Sequence, residues 1–390
     1  MDTQHTGIVT LLRSALKNES LILPENFQWD DAAQTLMKHH LTGLAIQGAA
    51  LCGVPRTHPT VTRMMALFCS SLQASRNQRQ KLREVFDLFE ANGIAYMPVK
   101  GAVLQSLYSQ PEYRTMGDAD ILIQQDQYPL IRKLLPTLGL TEQEDSDYEQ
   151  TWSCPALKLE LHRCLVSSRF SDYYDYYSDS WRLAQKNDAG CGCHLSAEEH
   201  FIYLIVHFAK HYRTGTICAK DICDFYVWRN AYPDMDEAYI LQILSEMQLV
   251  DFYRNILDLL GNWFDGAVAT PATELITSSV FRGGVHKEFN RSAADDLLRR
   301  RSKENDALMV RKLHWFFHAM FPSCATMSFA YPVLKKCPVL LPVFWVVRWF
   351  DALFRDRDKL RRGMIVIKSD SADISEYDEH MMTIGLKERR

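Results

Sequence analysis

Residues 94–123 read IAYMPVKGAVLQSLYSQPEYRTMGDADILI, and this stretch decides the fold. The apolar run 94–99 contains Pro98, which suits a short strand near a sheet edge, where a missing backbone donor costs least. Lys100-Gly101 follows at once, and glycine permits a tight turn with close backbone approach. Leu104, Leu107 and Tyr108 share one face at helical spacing, so 102–109 is expected as a helix, stopped by Gln110-Pro111. Gly117-Asp118-Ala119-Asp120-Ile121-Leu122-Ile123 then predicts a second strand carrying two carboxylates at i and i+2.

Side chains at i and i+2 of a strand point to one side. Two carboxylates held there repel each other unless a cation sits between them, and a hard divalent ion with oxygen ligands, such as Mg²⁺, is the usual resolution. The apolar Ile121-Leu122-Ile123 places the pair at the mouth of a buried strand. A glycine turn opening a helix offers backbone N–H groups to phosphate, and Lys100 adds a point charge. Metal carboxylates next to a phosphate cradle imply nucleotide chemistry.

Downstream, 157–162 reads LKLELH and alternates cleanly, with Leu157, Leu159 and Leu161 on one side and Lys158, Glu160 and His162 on the other. If this strand lies beside 119–123, Glu160 joins Asp118 and Asp120. Between the two strands, 127–138 is expected as a helix ended by Gly139, and 142–150 as an exposed acidic segment. The aromatic and acidic stretch 163–189 fits either a loop with a short helix over a cleft or a packed surface helix.

Residues 1–93 read as helical, with a long helix over 61–92 stopped by Asn92-Gly93. From Ser196-Ala197-Glu198-Glu199, which has capping-box form, the pattern is helical again. His207 and His211 share a helix face there, and without HExxH they read as a polar face or core histidines rather than a metal site. A helix over 217–230 carries Lys220, Asp221 and Asp224, and further helices are expected over 236–247 and 251–264. The stretch 270–303 is less regular, and 308–320 is amphipathic. The apolar run 339–347, limited by Pro342 and Arg348, falls short of the ~20 residues a membrane span needs and suits a core or interfacial helix. Arg355, Arg357, Lys359, Arg361 and Arg362 read as a solvated basic face. The expected division is an N-terminal helical region 1–93, a core 94–195, a C-terminal helical domain 196–368 and a polar tail 369–390.

The chain has 390 residues, 47% of them hydrophobic and 24% charged, with formal net charge −4. That balance is ordinary for a water-soluble globular protein and gives no global basic bias toward nucleic acid or an anionic membrane. The start lacks a basic segment followed by an apolar one, so no signal peptide is expected. The ten cysteines then point to reduced thiols in the cytoplasm. Cys191-Gly192-Cys193-His194 reads as a turn, because a structural zinc site would need a matching second pair.

Lys100-Gly101 with Leu104 and Tyr108, Arg114, Asp118-Ala119-Asp120-Ile121-Leu122-Ile123 and Leu159-Glu160-Leu161-His162 together resemble the uncharacterised nucleotidyltransferase family of the DNA polymerase β-like superfamily. His39-His40-Leu41-Thr42-Gly43-Leu44, His207 to Tyr212, Lys220-Asp221-Ile222 and Leu340-Leu341-Pro342 with Arg348 are also similar, so the resemblance covers most of the chain. It implies an α+β fold, a small mixed sheet with flanking helices plus N-terminal and C-terminal helical regions. It further implies that Asp118, Asp120 and Glu160 hold two Mg²⁺ ions. Lys100-Gly101-Ala102 stands where the superfamily usually has Gly-Ser, so Lys100, Gly101 and Arg114 are the expected nucleotide-binding residues.

The function expected is Mg²⁺-dependent transfer of a nucleoside monophosphate from an NTP to an acceptor hydroxyl, with release of pyrophosphate. One metal would stabilise attack and the other the leaving group, with Glu160 taking the acceptor proton. His162, His207, His211 and Asp221 are candidates for the acceptor side. Two alternatives stand: a nucleotide-binding regulatory protein with little turnover, and a toxin-like transferase acting on tRNA.

Overall fold

The computed structural model describes residues 1–282, 308–331, 333–354 and 371–386, together with 364, 366, 368 and 369. Four helices open the chain: α1 (Thr3–Lys17), α2 (Trp29–Lys38), α3 (Thr42–Leu51) and α4 (Pro59–Ala91). A proline sits comfortably at the start of α4, where its missing N–H would have no intrahelical partner. Toward its end, Leu82, Val85 and Phe89 form a buried stripe against the sheet.

Five strands follow: β1 (Tyr96–Val99), β2 (Ala119–Ile123), β3 (Thr141–Asp145), β4 (Glu149–Cys154) and β5 (Leu157–His162), in spatial order β1-β2-β5-β4-β3. The sheet is mixed, with β2 parallel to β5 and every other pair antiparallel. Pro98 lies on the edge strand β1, as its lost donor requires. The segment expected to be acidic and exposed, without assigned secondary structure, is the β3–β4 hairpin. Its outer strand is exposed, so it shows no apolar alternation, and Arg132 and Arg163 pair with its acids Glu142 and Asp145. The helix after Gly101 is shorter than its spacing suggested: α5 (Gly101–Leu104) passes straight into a 3-10 turn. Next come α6 (Tyr128–Leu134), with a 3-10 turn closed by Gly139 at φ 76°, and α7 (Ser171–Tyr177), which buries Tyr173 and Tyr177.

The C-terminal part is helical: α8 (Ala197–Thr214), α9 (Ala219–Ala231), α10 (Glu237–Glu246), α11 (Val250–Leu260), α12 (Pro271–Arg282), α13 (Leu308–Met320), α14 (Cys324–Ala330), α15 (Val333–Lys336), α16 (Leu341–Phe354) and α17 (Ser371–Thr383). Only half of the expected capping box forms on α8. Ser196 accepts the Glu199 N–H at 3.2 Å, but the Glu199 carboxylate turns to the hydroxyls of Tyr176 and Tyr239. Helix α12 lies in the stretch that read as irregular, where Ile276 and Val280 are the buried positions among serines and threonines. Helix α16 includes much of the apolar run 339–347, but Val343, Val346, Val347 and Phe350 are exposed, so it is not a core helix. Among the described residues no helix is long and apolar enough to cross a membrane. The basic run at 355–362 and the arginines at 291 and 299–301 lie outside the described residues.

Two apolar clusters flank the sheet. The smaller joins α4 and α6 to the face carrying Ile121, Ile123, Leu159 and Leu161. The larger joins α1–α3 to α8–α12, and it takes in Leu122 from the other face. The opposite face of β2 and β5, with Asp120, Glu160 and His162, is therefore the one turned toward α8.

The expected polar tail also belongs to the larger cluster. Helix α17 and the turn after it bury Tyr377, Met381, Ile384 and Leu386. The Tyr377 hydroxyl donates to the Arg213 carbonyl at 3.3 Å, and Tyr212 and His380 lie 2.9 Å apart. The solvent side of α17 is acidic, and the averaged polarity hid four core residues. Gly385 ends the helix at φ 81°, and a Cβ there would lie 2.4 Å from the Phe252 backbone nitrogen. Gly385→Ala is expected to destabilise the protein by about 2 kcal/mol or more, from strain at positive φ plus a clash with backbone. Urea unfolding of the two proteins measures it, and an unchanged midpoint would show that α17 does not dock this way.

Candidate active site

The site begins with the register of two strands. Asp120 on β2 stands opposite Glu160 on β5, and parallel pairing turns both to one side of the sheet. Asp118 precedes β2 by one residue and lies at the cavity mouth with its side chain 41% exposed. Asp120, by contrast, is buried. Burial alone would raise its pKa, but the Lys100 ammonium in contact with it and the His162 Nε2 at 2.9 Å reverse that and hold it ionised well below the usual range.

Glu160 is the contrasting case. Burial, followed by the nearby charges of Asp118 and Glu149, pushes its pKa up to about 7 despite a 2.5 Å contact from Lys158. Lys158 also reaches Asp118 at 3.4 Å and ties the two carboxylates together. His162 is fully buried, with Nδ1 3.3 Å from Glu149 but outside hydrogen-bond geometry. One ligand atom from each of Asp120, Glu160 and His162 lies within 4.8 Å of the others, a span that one metal ion can bridge. Lysine ammoniums occupy the carboxylates as counter-charges, so the donor set fits a divalent cation entering in their place.

Lys100 holds its position at a conformational cost. Its backbone is at φ 50°, unusual for a side chain with a Cβ. Its N–H donates to His200 Nε2 at 3.2 Å, and that imidazole is kept neutral by burial, with its pKa near 3. The Lys100 N–H, which the glycine turn was expected to offer to phosphate, is thus already bonded within the protein. Gly101 serves a different need: a Cβ there would sit 2.6 Å from the Arg114 guanidinium. Arg114 itself is buried and grips Asp224 through two bonds of 3.2 and 2.9 Å, with Tyr108 donating to the same carboxylate at 2.7 Å. Both expected phosphate cations, Lys100 and Arg114, are therefore matched by protein carboxylates.

Opposite the sheet, α8 and α9 supply the far wall of a cavity of about 420 Å³. All ten residues singled out in the sequence line it: Lys100, Gly101, Arg114, Asp118, Asp120, Glu160, His162, His207, His211 and Asp221. Asp221 also accepts the Cys218 N–H at 3.1 Å at the start of α9, and burial raises its pKa to about 6. Reading the sequence missed Tyr148, Glu149, Lys210, Lys220 and Asp224 as lining residues. The first two lie in the hairpin, where no strands are expected from the sequence. The other three carried a usable signal: Lys210 is three positions after His207, Asp224 three after Asp221, and Lys220 four before Asp224, the spacings of one helix face.

A family model described as an uncharacterised nucleotidyltransferase matches residues 25–265, and the chain belongs to that family. The match agrees with placement in the DNA polymerase β-like superfamily. No curated protein and no solved structure matches the chain.

Two expectations follow from these charges. Asp224→Ala strands a buried guanidinium and should cost roughly 3–5 kcal/mol in denaturant unfolding; a loss under about 1 kcal/mol would mean Arg114 finds water instead. Glu160 binds its proton more tightly folded than unfolded, so its favourable contribution is complete below the unfolded pKa and is lost as pH rises through about 7. Metal-free Glu160→Gln should therefore melt higher than the parent at about pH 8, with the difference shrinking toward about pH 5. A difference independent of pH would contradict the raised pKa.

Proposed function

We propose that the protein is a divalent-metal-dependent nucleotidyltransferase that moves a nucleoside monophosphate from an NTP to an acceptor hydroxyl, releasing pyrophosphate. The observation that carries this reading is the in-register pair Asp120–Glu160 lining one cavity, with Asp118 beside it at the mouth. Asp118, Asp120 and Glu160 would hold the divalent ions, Mg²⁺ among the candidates, and His162 Nε2 offers a nitrogen ligand to the same set. Bound there, such ions supply the positive charge that stabilises the attacking oxygen and the leaving pyrophosphate.

The chain's own residues do the rest. Glu160, beside the ion that would activate the acceptor hydroxyl, would take that hydroxyl's proton. Asp120 stays ionised throughout, because burial among cations leaves it no easy proton. Lys100 neutralises Asp120 before the metal arrives, so that the buried carboxylate is not left unpaired. His211 and Asp221 sit on the far wall, where an acceptor would be oriented.

The test is pyrophosphate release from each NTP with Mg²⁺ or Mn²⁺, in the presence of cell extract, with mass spectrometry to identify the modified acceptor. Asp120→Asn should lower the rate about a hundredfold or more. Pulsed EPR of bound Mn²⁺ should show nitrogen coupling that His162→Gln removes. No pyrophosphate from any NTP with the parent protein would defeat the proposal.

A further inference from the structure

The geometry points to Lys210, with His207 one turn before it, as the seat of the triphosphate tail of the nucleotide, on the α8 wall of the cavity. This inference rests on the nucleotidyl-transfer reading of the same cavity. In the metal-free protein Lys100 and Arg114, the cations that the sequence singled out, are each paired to a protein carboxylate; a metal on Asp120 would displace Lys100, while the Arg114–Asp224 pair involves no metal ligand and would persist. Lys210 is different. Its ammonium makes no hydrogen bond and no ion pair among the described residues, although its backbone carbonyl accepts from the Thr214 hydroxyl at 3.4 Å. Its ammonium lies 5.8 Å from the ring centres of Tyr148 and Phe170, which flank it without neutralising it. The groups facing it across the cavity are Lys100, Asp120, Glu149 and Glu160. Asp120 already holds Lys100, and Glu160 already holds Lys158.

A cation desolvated next to another cation is unfavourable, and burial, followed by Lys100, lowers the pKa of Lys210 to about 8. His207 adds a second unmet need, because its Nδ1 is buried without a hydrogen-bond partner and burial keeps the ring neutral. Positions 207 and 210 lie on one helix face. An ammonium with aromatic but no anionic partners and an imidazole nitrogen without a hydrogen bond, both lining one polar cavity, are matched by a ligand with several anionic oxygens. Lys220 lines the same wall and adds positive charge. A polyphosphate is the class that also accounts for the facing carboxylates, since its oxygens would bridge the metal ions held there to the lysine. A single carboxylate ligand would leave one side of the cavity unmatched.

The experiment uses the full chain and inorganic tripolyphosphate, titrated calorimetrically in the presence of Mn²⁺. Lys210→Met should weaken tripolyphosphate binding about ten- to hundredfold, and Lys210→Arg should restore part of it. Mn²⁺ affinity, read separately by EPR, should be the same in all three proteins. Without ligand, Lys210→Met should melt higher than the parent, because it removes an uncompensated cation; a purely structural lysine would give the opposite change. Unchanged tripolyphosphate affinity in a folded Lys210→Met protein would overturn the inference. So would a lower melting point without ligand, or a parallel loss of Mn²⁺, which would mean the lysine acts through the metal site. Tripolyphosphate binding that depends on Lys210, without pyrophosphate release from any NTP, would remove the transfer reading and leave the anion site standing.

Discussion

A carboxylate that cannot reach water governs this site. Asp120 sits in the middle of a strand, paired on both sides, with helices over the sheet. An ionised group there is costly unless charge and hydrogen bonds surround it. The protein meets that demand with Lys100 and His162, and the neighbouring features follow. Lys100 must adopt a left-handed backbone to bring its ammonium under the sheet, and His200 fixes the turn that does so. His162 lies flat between Asp120 and Glu149.

Neighbouring carboxylates in this cavity differ because their surroundings differ. Asp120 has more positive than negative charge at contact distance and stays ionised. Glu160 faces Asp118 and Glu149 and holds its proton up to about 7. A pair of groups with opposed proton affinities suits a reaction in which one must hold charge steadily and the other must accept a proton. The same cavity accommodates cations in two ways, matched on the sheet side and unmatched at Lys210 on the helix side. That asymmetry gives the cavity a direction: under the proposed function, metal ions would lie on the sheet side and substrate charge toward α8.

The helical part is the frame that sets this direction. The pair Arg114–Asp224 ties the loop before β2 to α9, and Tyr108 reinforces it from the 3-10 turn after α5. Gly101 allows the guanidinium to pass close by. On the other side, α17 packs on Tyr212 and Arg213 near the end of α8, directly after His211, the last residue of that helix to line the cavity. The C-terminal helix thus braces the wall that carries His207 and Lys210, although it contributes no side chain to the cavity.

The sequence by itself determined the local elements whose periodicity is strong. The 157–162 strand alternates without exception, and α4 is a long run of good helix formers stopped by Asn92-Gly93, so both could be read directly. That Asp118, Asp120 and Glu160 share one side of the sheet was legible because carboxylates at i and i+2 and an alternating strand each present one polar side. What the tertiary structure decided was which charges meet. Nothing in the spacing of Lys100, Arg114 and Lys210 says that two of them find carboxylates and the third does not, since the partners lie 20, 110 and more positions away or are absent. The β3–β4 hairpin and α17 were illegible for a related reason: β3 is almost wholly exposed, β4 buries the consecutive Gln150, Thr151 and Trp152, and α17 buries one side of a polar helix, so in each the burial is set by what packs against the segment and not by its own pattern.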